Sequence, residues 1–407
     1  MKNDILKFLE IQGYKKLNAR NTDTGELVVR VKKKSKKNKC PACQSTKVSV
    51  HAKGNWVLKK HSNFQEKIMY LEVKRDRLIC LKCKKVFAQE LPGIPKYARK
   101  TSNFVKQSLQ YLSKNSFAEV GRVNQISYTP LKNQLHEYVN PHELLGEKIK
   151  VLHKLTDIYL GIDGQSFRGK DMILTITEVK IKELLTILPS ELQVDLTAFC
   201  EKLPVDLRLK VKGIAMDMTN KHSKVLRHYF PNALIVIDHY HVIQLALRHT
   251  QNMRRTLQSA FNVSIPIKKE LDKNREDLTP FEKEKLRQYF ERFPQLQKAY
   301  LVKERIRSIY KVVDHDSAQK EYILLKDELL CSRDLELQEL GATLSNWEGE
   351  ILNYFHCRIT NAYTEGIHTK CKLIKRKSYG FRNVDTYVRK LILGLVPLIS
   401  IFSIHTF

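Results

Sequence analysis

Two sets of residues in this 407-residue chain have the types and spacing to do chemistry. The first is a pair of Cys-x-x-Cys motifs, Cys40/Cys43 and Cys80/Cys83. Four thiolates in two tight pairs can close a tetrahedral shell around Zn2+ and leave no open position, so they predict a structural zinc and not a catalytic one. The 36 residues between the pairs are long for a treble clef and suit the loops of a ribbon. His51 and His61 fall in that interval and read as ordinary loop residues.

The second set is acidic. Asp163 ends the apolar run YLGID, Asp217 ends GIAMD, and Glu365 lies in NAYTEGIHTKCKLIKRK. Functional residues of α/β sheets gather at the carboxyl ends of strands. Carboxylates there suit hard divalent cations, Mg2+ or Mn2+, which prefer oxygen ligands. Two such ions about 3.5–4 Å apart stabilise both the attacking and the leaving oxygen of a phosphodiester. Lys370, Lys372, Lys375, Arg376 and Lys377 follow Glu365 and suit contacts to DNA phosphates. Asp238 competes with Asp217, because it too ends a strand-like run, ALIVID, and leads into DHYH, where Asp238 and His241 could face one another across a helical turn. Spacing alone leaves the choice open.

The elements that must position these residues show in the hydrophobic patterning. Residues 1–39 open on a short amphipathic segment and end in RVKKKSKKNK (Arg30–Lys39), a solvated strip and a candidate phosphate contact. Residues 40–92 read as the zinc ribbon, with a strand pair in KIMYLEVKRDRLIC feeding the second cysteine motif. Residues 93–148 read as helical. Phe104, Val105, Leu109 and Leu112 share a helical spacing, and a break near Asn124–Ser127 fits a helix-turn-helix. From residue 149 onward the texture is α/β, with strands in TDIYLGID, DMILTITEV, KELLTILP, VKGIAMDM and ALIVID. A charged, helix-rich block at about 245–350 reads as a helical insertion.

Composition points the same way. Lys and Arg number 72 against 43 Asp and Glu, a formal net charge of +29, which favours a polyanionic partner such as double-stranded DNA. The paired cysteines and the lack of an apolar signal-peptide core in MKNDILKFLEIQGYKK predict a metal site in a reducing cytoplasm, not a disulfide framework. The apolar stretch Leu391–Phe402 is too short to span a bilayer and is interrupted by Pro397, so it reads as buried helix with no membrane role.

Taken together, CPAC, CLKC, GID, MDM, DHYH, TNAYTEG and YGFRN resemble the insertion-sequence transposases of the ISL-three type, a branch of the DDE transposases. The resemblance runs over nearly the whole chain. It implies an α/β RNase H-like catalytic core with a helical insertion, preceded by a zinc ribbon and a helix-turn-helix. It implies an enzyme that binds transposon ends, cleaves the DNA and joins the 3′-hydroxyl to target DNA. It implies a homo-oligomer on DNA, at the bacterial nucleoid. The acidic triad maps onto Asp163, Asp217 and Glu365. DHYH matches a D-x-x-H element, which gives Asp238 and His241 a supporting role. Trp347 is implied either as a base-stacking residue or as core. This chain departs from the family in having Gly164 after GID, DHYH for DRFH, and HTKCK (His368–Lys372) where NNKIK is usual. A DNA-binding regulator without catalysis and an RNase H-like nuclease are the alternatives.

Overall fold

The computed structural model describes residues 11–35, 37–64 and 67–404. The amphipathic segment expected at the start of the chain lies mostly outside them. The chain divides into two compact units. One takes the residues up to Leu144 together with those from Lys370 onward, and the other is Leu145–Thr369.

The first unit begins with β1 (Tyr14–Asn21) and β2 (Leu27–Lys33), followed by β3 (Val48–Ala52), β4 (Trp56–Phe64), β5 (Lys67–Lys74), β6 (Arg77–Cys80) and β7 (Val86–Ala88). These strands form two sheets, ordered β1-β2-β5-β4 and β3-β6-β7. The long interval between the cysteine pairs is therefore not all ribbon. The β4–β5 hairpin leaves it to complete the four-stranded sheet, and β5 and β6, expected as a pair, belong to different sheets. The basic run also differs from expectation, because its first residues lie in β2, where Val29 and Val31 are buried in the sheet's core with Met69, Leu71 and Val73. Alternation sends Arg30 to the other face, where it and Arg20 bind Glu72 at 2.6 and 3.0 Å.

Helices follow: α1 (Ser102–Lys114), α2 (Phe117–Asn124) and α3 (Tyr128–Tyr138). Thr101 caps α1 by accepting from the Phe104 amide, and Ser116 caps α2 by accepting from the Glu119 amide. Gln125, at φ +48°, makes the turn between α2 and α3 where a break was expected. His61 is not a loop residue: it is buried on β4, and its Nδ1 lies 3.0 Å from Thr101 Oγ1 at the cap of α1.

The second unit is built on a five-stranded sheet of β8 (Ile158–Arg168), β9 (Asp171–Glu178), β10 (Glu183–Leu188), β11 (Val211–Met216) and β12 (Leu234–Ile237). Its order is β10-β9-β8-β11-β12. The first three strands are an antiparallel meander, whereas β11 runs parallel to both β8 and β12. Helix α4 (Pro141–Leu152) enters the sheet; α5 (Gln193–Lys202), α6 (Val205–Lys210) and α7 (Asn220–Tyr229) make the connections. Buried apolar residues from these helices and from β8, β9 and β11 form one core, including Leu160, Ile162, Ile176, Phe199, Ile214 and Leu226.

After β12 the described chain is helical up to the last acid. The succession is α8 (His239–Phe261), α9 (Lys268–Asp272), α10 (Pro280–Arg292), α11 (Pro294–Ile309), α12 (His315–Leu330), α13 (Leu335–Asn346) and α14 (Glu348–Cys357). Trp347, between α13 and α14, is partly buried against this core. Helix α15 (Ala362–Lys377) then starts in the second unit and ends in the first, where α16 (Val384–Leu395) and α17 (Leu398–Phe402) complete the chain. Pro397 separates these last two, and among the described residues no helix is long and apolar enough to cross a membrane.

The Arg20 and Arg30 guanidiniums lower the Glu72 carboxyl from 4.5 to about 2. A depressed acid contributes stability that is present above its unfolded value and lost as pH falls through its folded value. Glu72→Gln is accordingly expected to destabilise the chain by about 1 kcal/mol at neutral pH, since both arginines are partly solvated. The difference from wild type should shrink between pH 4.5 and about 2, as calorimetry at a series of pH values would measure.

Candidate active site

β8 is the central strand of the sheet, and Asp163 sits in its middle, not at its end, because β8 continues to Arg168. Asp217 follows β11 directly, and Asp238 follows β12 as the cap of α8. Glu365 lies in the first turn of α15. All four acids belong to the second unit.

One buried residue ties these elements together. Asn361, fully buried just before α15, donates from Nδ2 to the Ile162 carbonyl at 3.1 Å, and its backbone N–H donates to Asp238 Oδ2. Thr364 meets Thr177 of β9 at 2.7 Å through their hydroxyls. One turn further, His368 is buried with Nδ1 at 3.1 Å from Asp163 Oδ2 and Nε2 at 3.0 Å from Thr175 Oγ1. If the Thr175 hydroxyl donates to Nε2, then Nδ1–H donates to Asp163. Asn361, Thr364 and His368 recur at the helical spacing i, i+3, i+7, and Thr175 and Thr177 share one face of β9. That double periodicity of buried polar residues is the signal that could have identified them from sequence.

Gly161 makes this approach possible. A Cβ there would stand 2.6 Å from Thr364 Oγ1 and from Val179 Cγ1, and 2.7 Å from Asn361 Oδ1.

The two candidates for the second acid differ sharply. Asp238 is 2% exposed, and both its oxygens accept from backbone amides, Oδ1 from Tyr240 at 2.8 Å and Oδ2 from Asn361. The Asp217 side chain is 39% exposed, and its Oδ1 lies 2.7 Å from His241 Nε2. The pair is within reach of an ion pair, but neither atom makes a well-formed hydrogen bond among the described residues. His241 also approaches Glu365 Oε1 at 3.8 Å, so its close neighbours are Asp217 and Glu365, not Asp238 as the DHYH spacing had allowed.

Charge is crowded here. The Glu365 carboxyl is raised by burial and by the negative charges of Asp238, Asp163 and Asp217, with His241 opposing. His241 is raised chiefly by its contact with Asp217, against the effect of burial. Asp217 and Glu365 share the imidazole of His241, while Asp163 meets His368 and Asp238 meets His239. Crowded carboxylates of this kind are what a bound cation relieves. The oxygens of Asp163, Asp217 and Glu365 do not all lie within 4.8 Å of one another.

The model of the ISL-three DDE family, described as "Transposase", matches residues 160–391, more than half of the chain. The chain belongs to this family. It is also similar to the transposase for insertion sequence element IS1001 of Bordetella parapertussis, at 22% identity over 332 residues, covering 79% of this chain and 80% of that protein. The matched region of this transposase spans Asp163, Asp217, Asp238, His241 and Glu365. It also holds Lys370, Lys372, Lys375, Arg376 and Lys377, which lie on the later turns of α15 in the first unit, all exposed except the half-buried Lys375.

The cysteine motifs lie outside that match, but their geometry is definite. All four Sγ atoms lie within 4.8 Å of one another, with Cys40–Cys83 at 3.5 Å and Cys43–Cys80 at 3.6 Å. Each pair sits on a matching knuckle: Gln44 N–H donates to the Cys40 carbonyl and Lys84 N–H to the Cys80 carbonyl, with Gln44 and Lys84 both at positive φ. Amides of the knuckles lower the Cys40 and Cys80 thiols, while the neighbouring thiols raise Cys83, the mutual repulsion expected of four sulfurs crowded together. Neither His51 nor His61 joins the cluster.

Gly161→Ala is expected to destabilise the chain by about 1–3 kcal/mol, the usual result of overpacking. Gly146→Ala, on a helix with open space around it, should be neutral or slightly stabilising. Chemical unfolding of the two variants would check this, and equal stability of Gly161→Ala and wild type would refute the packing argument.

Proposed function

We propose that Asp163, Asp217 and Glu365 are the metal-binding acids of an RNase H-like strand-transfer site that cleaves transposon ends and joins their 3′-hydroxyls to target DNA. The observation that carries this reading is that Asp217, from the end of β11, and Glu365, from α15, meet at His241 at 2.7 and 3.8 Å, while the negative charge of Asp163 on β8 bears on both His241 and Glu365. The sheet order, an antiparallel meander followed by two parallel strands, supports the RNase H-like assignment. The poorly satisfied Asp217 Oδ1 and the mutual repulsion felt by Glu365 fit a site for Mg2+ or Mn2+. When bound, such ions would activate the attacking oxygen and stabilise the leaving one.

The chain's own residues divide the remaining work. Asp238 is buried with each oxygen already accepting a backbone N–H, so it fixes the start of α8 and, through Asn361, of the helix carrying Glu365. His241 holds Asp217 and Glu365 near one another and is placed to carry a proton. His368 orients Asp163. Lys370, Lys372, Lys375, Arg376 and Lys377 on the helix that carries Glu365 are phosphate contacts. Cys40, Cys43, Cys80 and Cys83 hold one structural Zn2+, which pins β3, β6 and β7 into a ribbon. The ribbon and the helix-turn-helix of α2 and α3 bind the ends of the element as double-stranded DNA, and two ends call for a homo-oligomer.

Asp163→Asn, Asp217→Asn and Glu365→Gln should each reduce strand transfer of a labelled end by at least about a hundredfold, the scale of losing one electrostatic partner in the transition state. End binding should be nearly unchanged, and Asp238→Asn should keep measurable activity. An inactive Asp238→Asn beside an active Asp217→Asn would reverse the assignment of the second acid. Wild-type rates in all four would overturn the catalytic reading, and hydrolysis without joining would favour a nuclease.

Metal analysis of the purified chain should find one zinc, released on Cys40→Ser with loss of thermal stability. A chain equally stable and free of zinc under non-chelating conditions would refute the ribbon site.

A further inference from the structure

Helix α15 ends on a left-handed non-glycine residue, as α2, α8 and α14 do at Gln125, Asn262 and Arg358. Tyr379 N–H donates to the Arg376 carbonyl and Gly380 N–H to the Lys375 carbonyl, both at 3.1 Å, closing the helix in the manner usual where glycine takes the left-handed position. Here the first left-handed residue is Tyr379, at φ +58°, and Gly380 follows at φ +87°. A side chain in that region is strained. The strain is not offset by packing, because Tyr379 is 92% exposed. The turn satisfies the Arg376 and Lys375 carbonyls and leaves the Tyr379 ring presented to solvent.

The loop that follows, YGFRN, forms one wall of a cleft of about 620 Å3, lined by Phe117, Ile126, Tyr128, Tyr379, Phe381 and Arg382 within the first unit. Phe117 and Tyr128 pack with ring centroids 5.1 Å apart, and Phe381 is braced against Tyr387 at the same distance. The Ser378 hydroxyl also lines the cleft, and its oxygen is buried without a hydrogen-bond partner among the described residues. No carboxylate lines it, whereas Arg376, Lys377 and Arg382 are exposed on the adjoining helix end and loop. An aromatic cleft with an unsatisfied hydroxyl and a cationic border matches a nucleobase attached to phosphates. A base held inside a duplex has no free face to offer, so the occupant is an unpaired or extruded base.

We propose that this cleft captures one unpaired base of bound DNA, with Tyr379 as its stacking platform and Ser378 as a hydrogen-bonding group. The proposal rests on the end-binding reading above and adds to it a preference for distorted or open DNA.

The test uses the full chain and two DNAs of one sequence, one a forked duplex with 2-aminopurine at the first unpaired position, the other fully paired. Wild type should bind the fork about tenfold more tightly than the paired duplex, as expected for one base–aromatic stack, and should quench the 2-aminopurine. Tyr379→Ala and Tyr379→Gly should lose both the preference and the quenching while binding the paired duplex as wild type does; Tyr379→Phe should keep them. Tyr379→Gly should also raise the unfolding temperature, since it relieves the left-handed strain. Retained preference and quenching in Tyr379→Ala would overturn the proposal. An equal loss on both DNAs would overturn it too, as would an altered oligomeric state with fork binding intact, which would assign Tyr379 to a protein contact. Failure of wild type to bind either DNA would overturn the end-binding reading and this proposal together; paired-duplex binding without the fork effect would overturn this proposal alone.

Discussion

Asn361 sits at 0% exposure where three separated parts of the second unit meet, and its hydrogen bonds hold them there. Its side-chain amide takes the Ile162 carbonyl of the central strand, and its backbone amide takes the Asp238 carboxylate at the end of β12. A buried amide or carboxylate left unpaired costs about 1–3 kcal/mol or more, so each of these groups enforces the placement of the others. The helix carrying Glu365 can start in only one place relative to β8, and Gly161 is the position that lets it come so close. The same face of that helix then reaches Thr177 through Thr364 and Asp163 through His368.

This clamp explains how a long helical block can stand between Asp238 and Glu365 without blurring the site. The chain from α8 to α14 packs its own apolar residues into the core of the second unit and returns to a point fixed by hydrogen bonds at both ends of the excursion. Loop entropy grows slowly with length, so such an insertion is tolerated once its ends are held. The precision of the site comes from the strands and the Asn361 contacts.

The electrostatics are layered. The chain as a whole carries +29, yet the candidate site gathers four acids whose charges bear on one another. A positive field draws in a polyanion at long range, while a local negative cluster is suited to cations. The two fields suit ligands of opposite charge.

Much of this was legible in the sequence. Cysteine spacing located the four-thiol cluster, since a Cys-x-x-Cys knuckle is a local structure set by a few amides. Period-two and helical patterning located the strands, the helical block and the break at Gln125, because burial of one face follows from local repetition. The family was legible as short motifs, and the three acids stood out in them as candidates. What the tertiary structure alone decided concerns destinations. Patterning cannot say which sheet a strand joins, so the β4–β5 hairpin left the ribbon and the basic run entered β2. It cannot say where a strand stops on meeting its neighbours, so Asp163 lies mid-strand. It cannot say which remote group each of two acids meets: Asp238 accepts from the Asn361 amide across the unit, whereas Asp217 Oδ1 faces His241. His61 and His368, unremarkable as letters, became a brace for a helix cap and a partner for Asp163. Local propensity is written residue by residue, but the partner of a buried polar group is chosen only when remote segments have packed.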